Sequence, residues 1–433
     1  MKMLINQFKR YRSNIPEPCI PIWILVILLV PSKVFSDSGD LSLKEALIIA
    51  HQSNPRVSQA RQNVKIAESR RRQSMKFENP ELELAIAKIP NDIGGENVLN
   101  SDTVEGEVSF SQSIETFGKR GLKISIAEDE KIQAELSLKN TLLEVEREVK
   151  EQYVETLLQQ KSIILAQDNL DRAQRLLDQV NIKYNAGKAR NHEIARAKLA
   201  VAKARNDLIS VQNNFEVSIS KLNILLGRDM REETRLKDNL TFLEMEQNFE
   251  KFLYRALDSR SDILNQKQEI SKKDKELQLA KRQRFPDVNL GVFAEREEAL
   301  WGLGVGISFE LPIWNQFQED IREAAVEKET EELVLDSLKR EVELEVYQAY
   351  QNANLARRSV LNLRDAIKEA NELLRIITIE YQEGEASFLV YLEGLVSYKE
   401  TNLEYLETLA DYAGKLAVLE EVVGGTLELK EDK

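Results

Sequence analysis

Two long stretches without proline constrain the fold of this chain more than any other feature. After residue 36, proline occurs only at Pro55, Pro80, Pro90, Pro286 and Pro312. Residues 91–285 and 313–433 therefore contain none, and glycine is also absent between Gly121 and Gly187 and from residues 313–383. Because an interior proline costs a helix about 3 kcal/mol, these stretches favour uninterrupted helices. At 1.5 Å per residue, each helix would be roughly 100 Å long.

The composition is typical of long helices that are exposed to water. The chain is 31% charged and only 6% aromatic, and it is rich in Glu, Lys, Leu and Ala. Apolar residues recur at helical spacing, as in the series Leu142, Val145, Val149, Tyr153 and Leu157. Each helix therefore has one apolar face, which must pack against another helix.

The chain contains an internal duplication. Several short patterns recur 197 positions apart, and the matched pairs include Val145 and Val342, Tyr184 and Tyr381, and Gly227 and Gly424. Such a repeat indicates two halves with the same plan. We therefore predict a first repeat at 37–228, a second repeat at 229–425 and a C-terminal tail at 426–433.

The first 36 residues have the pattern of a secretory signal peptide. Basic residues near the start precede an apolar run at 20–30, and the smaller residues Val34 and Ser36 follow. This run is shorter than the roughly 20 residues that a membrane-spanning helix needs, so we predict a signal peptide at 1–36 rather than an anchor. The single cysteine, Cys19, precedes the apolar run, and a lipid anchor on it is not expected.

Four short segments alternate between apolar and small or polar residues, two in each half. The residues predicted to face lipid are Val108 and Phe110 in the first half, and Trp301, Leu303, Val305, Ile307, Phe309 and Leu311 in the second. Alternation over about ten residues is typical of a strand that spans a bilayer in a β-barrel. A soluble sheet packed on helices would show the same alternation and remains the alternative.

Four strands are too few to close a barrel. An open sheet edge in lipid would leave backbone groups without hydrogen-bond partners. Several copies must therefore pool their strands, and two copies would give eight strands and three would give twelve.

The order of short motifs resembles that of the TolC-like outer-membrane efflux proteins. These motifs are Leu43-Lys44-Glu45-Ala46-Leu47, Asn54-Pro55, Phe117-Gly118-Lys119-Arg120, the turns after Tyr184 and Tyr381, and Leu225-Leu226-Gly227. The resemblance covers nearly the whole predicted mature chain. The stretch at 117–120 is most similar to the branch of CzcC-type subunits of heavy-metal efflux systems.

This resemblance implies a mixed α/β membrane protein that assembles as a homotrimer. Four strands from each copy would form a twelve-stranded transmembrane β-barrel in outer-membrane lipid, and long coiled-coil helices would continue it as a periplasmic α-helical barrel. A periplasmic adaptor, also called a membrane fusion protein, and an inner-membrane RND-type pump would be its partners. The expected location is the cell outer membrane, with a helical extension into the periplasm.

The resemblance also places candidate functional residues at the periplasmic turns. The candidates for the gate and the adaptor contact are Tyr184, Gly187, His192, Glu193, Tyr381, Glu383, Gly384 and Glu385. Tyr381 matches the gate tyrosine of the family, whereas Val390 and Ala386 replace an acid and an arginine that relatives carry. The contacts that hold the tip of this channel closed should therefore differ from those of its relatives. For any one glutamate, a solvated helix face is the alternative interpretation.

No pattern of catalysis or cofactor binding is present in the sequence. The two histidines, His51 and His192, are not spaced as a metal pair, and no metal or phosphate motif occurs. We therefore predict no enzyme activity, cofactor or dedicated metal site. A net charge of −13 argues against a nucleic-acid partner.

The predicted function is a passive, gated exit duct for solutes, which an inner-membrane pump drives. Divalent heavy-metal cations are the expected cargo, and drug export or type I protein secretion is the alternative. A secreted coiled-coil scaffold protein is the alternative from another class.

Overall fold

The two halves of the chain have the same order of secondary structure. The computed structural model describes residues 40–87, 105–297 and 300–431, so the predicted signal peptide lies outside the described residues. The first half contains α1 (Leu43–Ser53), α2 (Pro55–Ser74), β1 (Glu81–Ala87), β2 (Glu105–Ile114), α3 (Lys119–Asn185) and α4 (Asn191–Leu225). The second half contains β3 (Leu243–Glu244), α5 (Phe249–Ser259), α6 (Ser261–Gln283), β4 (Val288–Glu297), β5 (Leu300–Ser308), α7 (Gln318–Glu383), α8 (Phe388–Val423) and β6 (Lys430–Glu431).

The prediction of two very long helices is confirmed. Helix α3 has 67 residues and α7 has 66, and neither contains proline. Both end just before a glycine with positive φ, Gly187 at +70° and Gly384 at +90°. Such a conformation suits glycine, which has no Cβ to clash, and it ends a helix.

The apolar faces of the long helices form the cores that were expected. Val145, Val149 and Tyr153 on α3 are almost fully buried against α1 and α4. Val342 and Val346, at the equivalent positions of α7, are buried in a second core with α5 and α8. The duplication therefore extends from the sequence to the packing.

The four long strands form one antiparallel sheet in the order β1-β2-β4-β5. Its register places the predicted apolar residues on one face, because Val108 lies opposite Ala294 and Ala294 opposite Leu303. In the adjacent row, Phe110 lies opposite Val292 and Val292 opposite Val305. Leu303 and Val305 are 90% and 82% exposed in the single chain, so this apolar face has no partner within the described residues.

The prediction that Phe309 and Leu311 belong to the last strand is wrong. Strand β5 ends at Ser308, which pairs with Asn289 near the start of β4. Backbone pairing stops there because the partner strand begins at Val288 and Pro286 before it lacks an N–H group. Phe309 and Leu311 follow the strand and are exposed.

The two halves of the chain contact each other along α3, which packs against α6 and α8. Between α3 and α6, Asp129 is buried and accepts two hydrogen bonds from Lys275 at 2.6 and 2.5 Å. The short strands β3 and β6 pair, so part of the predicted tail is ordered against the second half. No helix among the described residues is long and apolar enough to cross a membrane.

Candidate functional site at the helical turns and the sheet face

The turn between α7 and α8 is a compact, hydrogen-bonded helix end. The backbone N–H groups of Gly384, Glu385 and Ala386 all donate to the carbonyl oxygen of Glu380, at 3.0, 2.9 and 3.1 Å. Ser387 then caps α8, since its Oγ accepts from the N–H of Val390. In the turn between α3 and α4, Gly187 occupies the position equivalent to Gly384 and also has a positive φ. A Cβ at either glycine would meet nothing within 4 Å, so the positive φ alone requires glycine there.

Tyr381 lies buried where the two helical hairpins meet. Its side chain is 3% exposed and stacks on Tyr391, with 5.0 Å between ring centroids. From the other hairpin, the Nζ atom of Lys183 lies 3.7 Å from the centroid of the Tyr381 ring. The same ammonium donates a hydrogen bond to the backbone oxygen of Tyr381. Lys183 therefore joins the first hairpin to the second.

The charges around this contact affect both residues. Burial, together with the nearby Glu193 and Tyr391, raises the pKa of Tyr381 to about 12. Burial and the neighbouring Lys188 lower the pKa of Lys183, and Glu193 opposes them. The Tyr381 hydroxyl is buried and has no hydrogen-bond partner among the described residues. A buried, unpaired hydroxyl is costly, so this packing is sensitive to small changes.

The structure brings only some of the predicted tip residues together. Tyr381 and Glu193 are close enough to interact through charge, and Glu193 is half-buried. The residues Tyr184, Gly187, His192, Glu383, Gly384 and Glu385 are exposed. The sequence prediction missed Lys183, which reads as an ordinary solvated lysine. Its one signal is a charge reversal between the repeats, since Glu380 stands 197 positions later.

The face of the sheet opposite the apolar residues carries carboxylates. By the alternation of side chains along a strand, Glu81, Glu83, Glu107 and Glu295 share this face. Glu107 lies directly opposite Glu295 in the register, and like charges in that position are destabilising. A Cβ on Gly302 would lie 3.5 Å from Cγ of Glu295. Phe293 shares this face, and its ring fills the space over Gly304, where a Cβ would clash with it.

No group of three or more His, Cys, Asp or Glu side chains within the described ranges is arranged to hold a metal ion. The acids on the sheet are spread along the strands rather than gathered around one point. Such an arrangement sets an electrostatic field and does not form a coordination site.

Comparison with known proteins identifies the architecture. The chain is similar to the cobalt-zinc-cadmium resistance protein CzcC of Cupriavidus metallidurans, with 21% identity over 92% of this chain and 93% of that protein. Its fold matches the solved structure of CusC, with a TM-score of 0.74, 16% identity and coverage of 95% of this chain and 99% of that one. It also matches the open state of the MtrE outer membrane channel of Neisseria gonorrhoeae, with a TM-score of 0.72, 17% identity and coverage of 90% and 91%.

The fold class predicted from the sequence is thus confirmed. The model of one protein family, described as outer membrane efflux protein, matches residues 47–228 and 252–425. These two segments correspond to the two repeats of secondary structure. Proteins of this kind are passive channels and not enzymes. The chain therefore belongs to the outer membrane efflux protein family.

Proposed function

We propose that this chain is the outer-membrane exit duct of a tripartite efflux system and that it exports divalent heavy-metal cations. In this proposal 1–36 is a signal peptide, 37–228 and 229–425 are the structural repeats and 426–433 is the tail. Three copies form a twelve-stranded barrel in outer-membrane lipid and a helical barrel in the periplasm. An inner-membrane RND-type pump and a periplasmic adaptor supply the cargo.

The duct part of the proposal is supported by the agreement of fold over nearly the whole chain. A helix of 67 residues is about 100 Å long at 1.5 Å per residue, which suits a tunnel better than a globular domain. The sheet has one apolar and one acidic face, as a barrel strand between lipid and water requires. The family match favours this duct over a coiled-coil scaffold.

The observation that carries the cargo class is the row of carboxylates on the polar face of the sheet. In a trimer, Glu83, Glu107 and Glu295 would each occur three times around the lumen. Rings of acids attract cations and need bind them only weakly, since a conducted ion must also leave. The relative named for cobalt, zinc and cadmium resistance supports the same class.

At the other end of the duct, we infer that the two helical turns form the gate. Buried Tyr381, Glu193 and the bridging Lys183 would hold the hairpins together in the closed state. The exposed residues at the turns would be free to contact the adaptor; they are Tyr184, Gly187, His192, Glu383, Gly384 and Glu385. A glycine at the outermost position of each turn offers backbone groups to a partner without side-chain hindrance.

The cargo class can be tested by ion selectivity and by metal resistance. Glu107→Gln with Glu295→Gln should reduce the preference of single channels for cations over anions, because six charges leave the lumen of a trimer. Glu250→Gln, on the exposed surface of α5, serves as a matched control and should leave selectivity unchanged.

In cells, a strain that lacks the chain should become sensitive to zinc, cobalt or cadmium. The acid-free variant should complement it less well than the control variant does. Sensitivity to drugs alone, with metal resistance unchanged, would contradict the cargo and favour drug export. A chain that does not conduct at all would contradict the duct itself.

A further inference from the structure

The seam between α3 and α8, inside one chain, carries ionic and polar pairs away from its apolar end at the tip. The Nε atom of Arg147 lies 2.6 Å from a carboxylate oxygen of Glu421. Farther along, the hydroxyl of Tyr398 lies 3.2 Å from Asp168. The numbers rise on one helix while they fall on the other, so the two helices are antiparallel. This seam joins the first half of the chain to the second.

The duplication makes α7 the counterpart of α3 and α4 the counterpart of α8. Residues 197 positions apart occupy equivalent places, since Val145 and Val342 on the long helices and Leu222 and Leu419 on the others are all 0% exposed. Yet in the described part of the chain α7 makes no contact with α4 that is comparable to the contact between α3 and α8. One side of α7 and one side of α4 are thus left without partners.

At one pair of open positions, apolar residues stand where the internal seam has an ion pair. Leu344 occupies the place of Arg147, and Ile224 occupies the place of Glu421. These two apolar side chains are 55% and 58% exposed. Leu344 and Ile224 are therefore exposed at the positions where the internal seam has an ion pair.

Other apolar residues follow along both helices. Tyr347 on α7 is half exposed, meets the ring of Phe249 edge-on and stands where α3 has Lys150, which pairs with Glu420 at 2.6 Å. Leu355 is exposed, whereas its counterpart Leu158 is buried. On α4, the exposed residues Val217 and Ile209 follow Ile224 at spacings of seven and eight. Such spacings place all three on one side of a helix.

We propose that these two apolar stripes meet between copies of the chain. Leu344, Tyr347 and Leu355 on α7 of one copy pack against Ile224, Val217 and Ile209 on α4 of the next. This proposal rests on the proposed homotrimeric duct and specifies the chemistry of its subunit boundary. Where the internal seam pairs Arg147 with Glu421, the seam between subunits is apolar.

The edges of the sheet independently favour a second copy at the same side of the chain. Its two edges are β1 from the first half and β5 from the second, and unpaired edges need a partner strand. A second copy placed beside β5 brings its own β1 to that edge and its α4 to the open side of α7. One occupant therefore satisfies both the strand edge and the helix face.

The difference between the seams has a physical reason. The halves of one chain are joined covalently, so their seam need not supply the free energy of association. Separate copies must associate through burial of apolar surface, which salt does not weaken. Exposed ion pairs contribute little to association and are screened.

Cross-linking tests which residues meet. In membranes that contain Leu344→Cys with Ile224→Cys, a short bismaleimide should link three copies on denaturing electrophoresis. The native Cys19 lies within the predicted signal peptide and should not interfere. Glu343→Cys with Ile224→Cys is the matched control, because residue 343 is turned by about 100° around α7 from residue 344. This control pair should leave monomers.

Charge replacement tests the chemistry of the seam. Leu344→Arg alone should cause the trimer to dissociate at a temperature that leaves the unsubstituted trimer intact, because it places an unpaired charge in an apolar contact. Adding Ile224→Glu reproduces the pair that Arg147 and Glu421 form inside the chain. The double variant should regain the trimer and, unlike the unsubstituted protein, should lose it again in high salt.

The outcomes separate this proposal from the function on which it rests. A conducting trimer whose Leu344→Cys and Ile224→Cys positions do not link would overturn the apolar seam and leave the duct intact. Links only to a protein of another mass would also overturn it. An unsubstituted chain that is monomeric and does not conduct would overturn both.

Discussion

Replacing Lys183 by methionine should weaken the closure of the helical tip. The Lys183 ammonium lies 3.7 Å from the centre of the Tyr381 ring and also donates to the backbone oxygen of Tyr381. Methionine keeps an unbranched apolar chain and removes the charge and all three donors. The substitution thus removes both contacts and preserves most of the packing.

The size of the effect depends on the free energy that the two Lys183 contacts contribute and on the desolvation that opposes them. A cation over an aromatic ring contributes about 0.5–2 kcal/mol, and a hydrogen bond from a charged donor contributes about 1.5–3 kcal/mol. Desolvation of the ammonium opposes both, as its lowered pKa indicates. A net contribution of about 1 kcal/mol per copy gives about 3 kcal/mol for three copies that open together, or roughly a 100-fold change in the equilibrium between open and closed states.

Single-channel recordings at neutral pH would measure this change as the fraction of time spent open. Lys183→Met should raise that fraction about 100-fold, unless the channel saturates fully open. Lys183→Arg should stay largely closed, because a guanidinium also stacks on aromatic rings and donates hydrogen bonds. Lys188→Met is the matched control, since Lys188 is exposed and bonds Lys183 only through its backbone N–H at 2.8 Å.

Two results would refute this reasoning. A Lys183→Met channel that remains as closed as the unsubstituted protein would show that the contact does not hold the tip. Equal opening in the Lys188→Met channel would assign the effect to the loss of positive charge in general.

Three other predictions test the structure. Gly227→Ala should lower the thermal stability far more than Gly187→Ala: both have φ of +70°, but a Cβ at Gly227 would lie 2.4 Å from the last carbonyl oxygen of α1, whereas Gly187→Ala should cost only about 1–2 kcal/mol. The Tyr381 phenol favours the closed state in full below its ordinary pKa of 10.0, and that contribution is lost as pH rises through about 12. Conductance should therefore rise in that window, and the rise should be smaller in Tyr381→Phe, where only Lys183, whose pKa is lowered, still loses its charge. Asp129→Ala leaves both Lys275 and Gln268 without the carboxylate to which they donate and should cost about 3–5 kcal/mol in a chemical unfolding experiment. Asp129→Leu with Lys275→Met should recover only part of it, because the Gln268 amide still lacks its acceptor.

The long helices and the duplication could be predicted because both depend on local rules. Proline is absent from α3 and α7, glycine occurs in them only at Gly121, and the apolar spacing around Val145 repeats around Val342. The end of the last strand could not be predicted in the same way. Alternation from Trp301 to Leu311 describes side chains, whereas a strand ends where its partner stops offering backbone groups.

The candidate site was only partly accessible from the sequence. The glycines of the two turns mark helix ends, which is a local property. The contact of Lys183 with Tyr381 joins residues that lie on different hairpins, so it depends on how the hairpins pack. A lysine within a long charged helix looks the same in the sequence whether it is solvated or lies over a ring.

Positions at which the two repeats agree and positions at which they differ have separate roles. The buried pairs, such as Val145 and Val342, are the same because both halves build the same helix core. Other equivalent positions differ because the two halves meet different neighbours. Examples are Lys183, which corresponds to Glu380, and Arg147, which corresponds to Leu344. A chain with one repeat would have six identical seams in a closed ring of six. Duplication allows alternate seams to diverge, so that one kind can hold subunits together while the other supplies charged contacts that are able to rearrange.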